Sequence, residues 1–124
     1  MKTENTKNKE NNIRIAIPLA DGKLTMHFGH CAEFALLDVD MEKKEILGKQ
    51  VIEAPAHQPG LLPPWLKERG VNIVIAGGMG IRAQDIFKQH GVSVIVGASS
   101  EEPEKIVEQY MHGTLITGQN VCDH

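Results

Sequence analysis

Residues Asn72 to Ala76 form a short apolar, β-branched run that passes straight into Gly77-Gly78-Met79-Gly80 and then into a helical repeat. A strand apolar on both sides has to be covered on both sides, the usual condition of a parallel strand inside an α/β sheet. The helical stretch carries Ala83, Ile86, Phe87 and His90 at i, i+3, i+4 and i+7, and Gly91 stops it before a further strand, Ser93 to Val96. Strand, helix, strand in this order requires a right-handed crossover and so a sheet with helices on its faces.

The remaining elements fit around that unit. Ile13 to Pro18 reads as a strand. Glu33 to Asp40 is a second strand, with Phe34 and Leu36 on one face and Ala35, Leu37 and Val39 on the other. Glu45 to Ile52 pairs with it through the polar turn Met41 to Lys44. A helix is expected from Gly60 to Arg69, with Leu62, Trp65 and Leu66 inward and Gly70 as its stop. A last helix starts around Ser99 to Pro103, with Ser99 and Glu102 in capping-box spacing, buries Ile106, Val107, Tyr110 and Met111, and ends at Gly113. The order βββαβαβα predicts an α/β fold with a mixed five-stranded sheet and helices on its faces. Residues 1–12 are expected to be a disordered tail, 13–113 a single domain and 114–124 an irregular tail.

Composition narrows the function. The chain has 124 residues, enough for one domain with its own core. Its net charge is -3, with three arginines and no basic cluster inside the domain, a poor match for a phosphate backbone. Phe28, Phe34, Trp65, Phe87 and Tyr110 are too scattered to stack bases, so no nucleic-acid partner is expected. No apolar stretch of about 18 residues and no signal-peptide core occur, so neither a membrane partner nor export is expected and the chain reads as cytoplasmic. In that compartment Cys31 and Cys122 read as thiols or metal ligands rather than a disulfide.

Open sheets of this kind place ligands at the carboxyl ends of strands where the topology reverses. Two loops lie there, Leu19 to His30 and Gly77 to Gly80. The first runs into His27-Phe28-Gly29-His30-Cys31 after Met26, a concentration of nitrogen and sulfur donors suited to iron, copper, zinc or iron-sulfur clusters. The alternative is that His27 caps a turn, His30 faces water and Cys31 is a small buried hydrophobe. His57, in the loop after the third strand, and the pair Cys122 and His124 are further candidate metal ligands. His90 and His112, at helix ends, read as structural. The glycine turn at a helix start offers backbone N-H groups to an anion, and Met79 is expected to project into the same pocket. Gly78, Gly80 and Ala83 also satisfy G-x-G-x-x-A, which supports a rival reading as a small-nucleotide or anion-binding regulatory module. Neither clustered carboxylates at the strand ends nor a nucleophile elbow is present, so the chain is expected not to be an enzyme.

The residues Asp21-Gly22, His27-Phe28-Gly29-His30-Cys31, Phe34 and Leu62 to Phe87 make the chain resemble the dinitrogenase iron-molybdenum cofactor biosynthesis family: NifX-like and NafY-like proteins and the C-terminal domain of NifB. The resemblance runs from about Ile13 to Gly113. It implies a ribonuclease-H-like motif fold and the binding of an iron-sulfur or iron-molybdenum-type cofactor precursor, bound transiently between donor and acceptor proteins. It assigns the favoured cofactor ligand to His27 and the glycine-rich loop to Gly77, Gly78 and Gly80. On this reading Cys31 is a ligand or neighbours the cluster, His30 and His57 are additional candidates, and the Gly77 to Gly80 amides donate to cluster sulfides.

Overall fold

A computed structural model describes residues 12–26, 28–56, 58 and 60–118. Six strands, β1 (Asn12–Ala20), β2 (Lys23–Leu24), β3 (Glu33–Asp40), β4 (Glu45–Glu53), β5 (Ile73–Ile75) and β6 (Ser93–Ile95), form one mixed sheet. Three helices, α1 (Leu62–Glu68), α2 (Ile81–Gln89) and α3 (Pro103–Met111), cover it. The strand path is β4-β3-β1-β5-β6. β1 runs antiparallel to β3 and parallel to β5, and β5 is parallel to β6. This is the expected α/β sheet, and its switch point falls between β1 and β5, the strands whose carboxyl ends lead into the two motif loops.

The period-two alternation of the long strands decides which side chains go where. Ile15, Ile17 and Leu19 of β1 join Ala35, Leu37 and Val39 of β3 in a cluster closed by Ile106, Val107 and Met111 of α3. On the opposite face, Ala16, Phe34 and Leu36 pack with Leu66 of α1, Phe87 of α2 and Phe28. The strands β1 and β3 are therefore buried on both sides, while the edge strand β4 is largely exposed. The β3–β4 hairpin closes where expected. Asp40 Oδ1 accepts from the Glu42 and Lys43 amides at 2.9 and 3.1 Å, and a bulge at Asp38/Val39 leaves Leu47 without a partner in β3. At the far end of the sheet, Arg14 binds Asp38 through two nitrogens at 2.7 and 3.1 Å and donates to the Arg69 carbonyl at 2.7 Å, tying β1 to the end of α1.

Four expectations are corrected. The sheet has six strands rather than five, because Asp21 and Gly22, with φ of 55° and 82°, form a two-residue turn that folds Lys23–Leu24 back onto β1. Leu19 to His30 is accordingly not a single loop: Leu24 is buried and the Thr25 amide donates to the Pro18 carbonyl at 2.9 Å. α1 begins at Leu62, two residues later than Gly60. α3 begins at Pro103 with Glu102 as N-cap and no side-chain cap, so the Ser99–Glu102 capping box does not form. Proline, whose φ is preset and which has no N-H to satisfy, starts this helix in its place. Gly70, Gly91 and Gly113 stand at positive φ just past the three helices, as the helix stops require.

Past α3 the chain turns back over the sheet. Leu115 packs against the α3-side cluster, and the Gly118 amide donates to the Gly97 carbonyl at 2.7 Å. Gly97 has φ of 91°, and a Cβ there would collide with the Gly118 carbonyl. Replacing Gly97 with Ala is expected to lower the unfolding free energy by about 1–2 kcal/mol, since an L side chain is strained at this φ and must also displace Gly118. Gly48→Ala, in a strand with open space around it, is expected to change stability by less than about 0.5 kcal/mol. Urea unfolding of both variants checks the pair.

Candidate functional site

The carboxyl end of β1 and the glycine turn after β5 meet in space. Phe28, the first residue of a 3-10 turn spanning Phe28–His30, donates its amide to the Gly78 carbonyl at 3.0 Å. Its ring is 4% exposed and lies between Phe34, at 5.9 Å, and Phe87, at 5.6 Å in edge-to-face geometry. Met26 lies against Gly77, where a Cβ would come within 2.9 Å of its sulfur and 3.0 Å of its Cα, so only glycine lets the two backbones approach this closely. The Gly77 carbonyl in turn accepts from the Gly97 amide at 2.9 Å, which places the Gly97–Gly118 contact, four residues before Cys122, beside the same turn.

Gly77, Gly78 and Met79 are thus buried beneath the first loop, with Met79 1% exposed among Phe34, Leu66 and Phe87. The expected open floor of amides does not extend over them. Only Gly80 is exposed, with free space around it, and it is the N-cap of α2. This geometry also weakens the nucleotide reading. The turn that would cradle a phosphate is covered by the protein's own Met26 and Phe28.

Beside this junction lies a pocket of about 240 Å³. Phe28 and Gly29 form one wall, Gln58 and Gly60 a second, and Arg82, Ala83 and Ile86 of α2 a third. A Cβ on Gly60 would reach within 3.9 Å of Ile86 Cδ1, which shows how closely the loop after β4 approaches α2. Two larger hollows, of about 610 and 770 Å³, open at the other end of the sheet beside Lys88 and Ser93 and beside Arg14 and Asn72. Neither gathers residues of the two motifs.

Of the candidate ligands, His27, His57, Cys122 and His124 lie outside the described residues, and of His30 only the backbone in the 3-10 turn is described. In sequence, His27 and His30 bracket Phe28 and Gly29, and His57 precedes Gln58, so the histidines adjoin residues on two walls of one pocket. Among the described residues no group of three or more His, Cys, Asp or Glu is arranged to hold a metal ion. His90 and His112 are the C-caps of α2 and α3, as their sequence positions suggest. Sequence reasoning gave Gln58 and Arg82 no role at the site and placed Ile86 only on the apolar face of a helix. What unites the three is the close approach of the loop after β4 to α2.

Cys31 is half-buried against the aromatic cluster. Burial pushes its thiol up to about 11 from 9.0, because the thiolate would lose its hydration there. The neutral thiol is therefore favoured by folding, and the stability it represents is lost as pH rises from about 9 through 11. In a Cys122→Ser background, Cys31 is expected to react with a thiol reagent at pH 8 about 100-fold more slowly in the folded protein than in denaturant, one factor of ten per pKa unit. Equal rates in the two states would show that the thiol is not buried as described.

The sequence and the fold both have relatives. An uncharacterized protein of Methanocaldococcus jannaschii, MJ0580, is 32% identical over 108 residues, covering 83% of this chain and 89% of its own. The crystal structure of PH0822 superposes with a TM-score of 0.78 at 29% identity, covering 85% of this chain and 94% of that one. The apo form of the orange protein from Desulfovibrio gigas shares the fold, with a TM-score of 0.65 at 20% identity over 86% of this chain and 93% of its own. The dinitrogenase iron-molybdenum cofactor family model matches residues 11–113, a span that contains the β1–β3 loop, the glycine turn and every wall of the pocket. The chain belongs to the dinitrogenase iron-molybdenum cofactor family.

Proposed function

We propose that the protein is a carrier for an iron-sulfur or iron-molybdenum-type cluster, taken from a donor protein and passed to an acceptor in the cytoplasm. The cluster is its cargo. The observation that carries this reading is that Phe28 and Gly29 of the His-Phe-Gly-His segment line one pocket with Gln58, the neighbour of His57, and with the start of α2. His27, His30 and His57, each next in sequence to a residue of that lining, form with Cys31 a borderline-soft donor set that suits iron and its sulfides. Membership of the family supports the class of cargo.

The residues divide the work. Phe28 seats the loop, His27 and Cys31 bind or adjoin the cluster, and the exposed N-H groups at the start of α2 face its sulfides, a role that the burial of Gly77 and Gly78 leaves to Gly80 and the first helical turn. His30, His57, Cys122 and His124 are the further candidates. Because the Cys31 thiol is held neutral, its use as a ligand is coupled to loss of a proton, which suits a holder that must also let go. We assign no reaction to the chain itself. No carboxylate is present among the described residues lining the pocket, and a protonated thiol is a poor nucleophile.

Anaerobic reconstitution with ferrous iron and sulfide tests the proposal. After gel filtration the wild type is expected to retain visible charge-transfer absorption and at least five times as much iron as a His27→Ala/Cys31→Ala double variant. Both should show the same far-ultraviolet circular dichroism. Equal retention by a folded double variant contradicts the assignment of the site.

A further inference from the structure

The chain has three arginines, and two of them are engaged in holding the fold. Arg14 is paired with Asp38, while Arg69 lies 3.9 Å over the Trp65 ring and donates to the Trp65 carbonyl at 3.0 Å. The third, Arg82, makes no ion pair with any described residue and is exposed. It is also the one charged side chain among the described residues that line the 240 Å³ pocket. The rest of that lining is apolar or neutral: Phe28, Leu62 and Ile86 with the Gln58 amide.

We infer that Arg82 sets the charge of what the pocket accepts: the cargo is an anion, and the guanidinium is its counter-ion. This rests on the reading above that the pocket holds the cluster. Three observations carry it. First, Arg82 is the second residue of α2, whose first turn contains no acidic side chain and whose N-cap, Gly80, provides no side-chain hydrogen bond. A cation there faces the positive end of the helix dipole and opposes helix stability, and no described carboxylate, Asp85 at i+3 included, lies within ion-pair distance to offset that cost. Second, an anion in the pocket reverses the sign of both effects, drawing the guanidinium and the unpaired N-H groups of the first turn toward one centre. Third, the rest of the described lining is apolar or neutral, so no carboxylate there competes for the guanidinium or offers a hydrated cation a ligand. An iron-sulfur cluster whose terminal ligands are thiolates carries net negative charge and meets this requirement. A free divalent ion does not.

The experiment uses full-length protein and a synthetic [4Fe–4S] cluster with four thiolate ligands, a dianion, as the probe. Binding is followed anaerobically by visible absorption for the wild type, Arg82→Lys, Arg82→Gln, Arg82→Glu and the His27→Ala/Cys31→Ala variant. The melting temperature of each apo protein is also measured. Arg82→Gln is expected to weaken binding at least tenfold and Arg82→Glu further. Arg82→Lys should retain most of the affinity, and raising salt from 0.1 to 0.5 M should weaken the wild type more than Arg82→Gln. The apo melting temperature of Arg82→Gln and Arg82→Glu should be equal to or above that of the wild type, the opposite of what loss of a structural arginine produces. Unchanged binding by Arg82→Gln alongside weakened binding by His27→Ala/Cys31→Ala overturns the counter-ion role and leaves the cluster site standing. Unchanged binding by His27→Ala/Cys31→Ala, or no binding by the wild type, overturns the cluster site itself. A lower melting temperature for apo Arg82→Gln assigns the arginine to the fold and also overturns the inference.

Discussion

The site depends on how Phe28 is anchored. Its backbone amide reaches the Gly78 carbonyl and its ring enters the core between Phe34 and Phe87. Of the two attachments the ring is the stronger. Burying a phenylalanine side chain contributes about 1.5–3 kcal/mol, against roughly 1 kcal/mol net for a backbone hydrogen bond. The loop after β2 is thus fixed by a hydrophobic anchor at Phe28, the residue between His27 and Gly29 in sequence. The same anchor covers the glycine turn, where Gly77 lets the two loops pack closely.

Everything around that point follows from the two-faced sheet. β1 is the central strand, antiparallel to β3 and parallel to β5, so its carboxyl end and that of β5 emerge side by side. The α3-side cluster of Ile15, Ile17, Leu37 and Ile106 and the opposite cluster of Phe34, Leu66 and Phe87 make the core from hydrocarbon alone. The pocket is therefore built beside an apolar core. Its polar and charged groups, Gln58 and Arg82, sit at the rim on a loop and at a helix start.

Much of this was legible in the residues. The alternation in Glu33 to Asp40 named both faces of β3 correctly, and the β-branched run before Gly77 identified the buried parallel strand. β2 was missed although Asp21-Gly22 is a strong two-residue hairpin signal, because Lys23–Leu24 is too short to show a period of its own. The capping box at Ser99 was a false signal, overruled by Pro103, four residues later, which starts the helix. The pocket was legible only in part. Its first wall belongs to a motif, but Gln58 and Gly60 reach it through packing against Ile86, a contact between residues far apart in sequence. Burial of Met79 was likewise hidden, since an apolar side chain in a glycine-rich turn can point either way until its neighbours are known.

Metal analysis of the protein isolated without oxygen from iron-replete cells, alongside its visible spectrum, tests the central claim most directly. The account predicts a coloured fraction with iron and acid-labile sulfide in near-equal amounts, lost on exposure to air while the protein stays folded. Protein that is colourless and free of iron and sulfide under those conditions, yet folded, would contradict it.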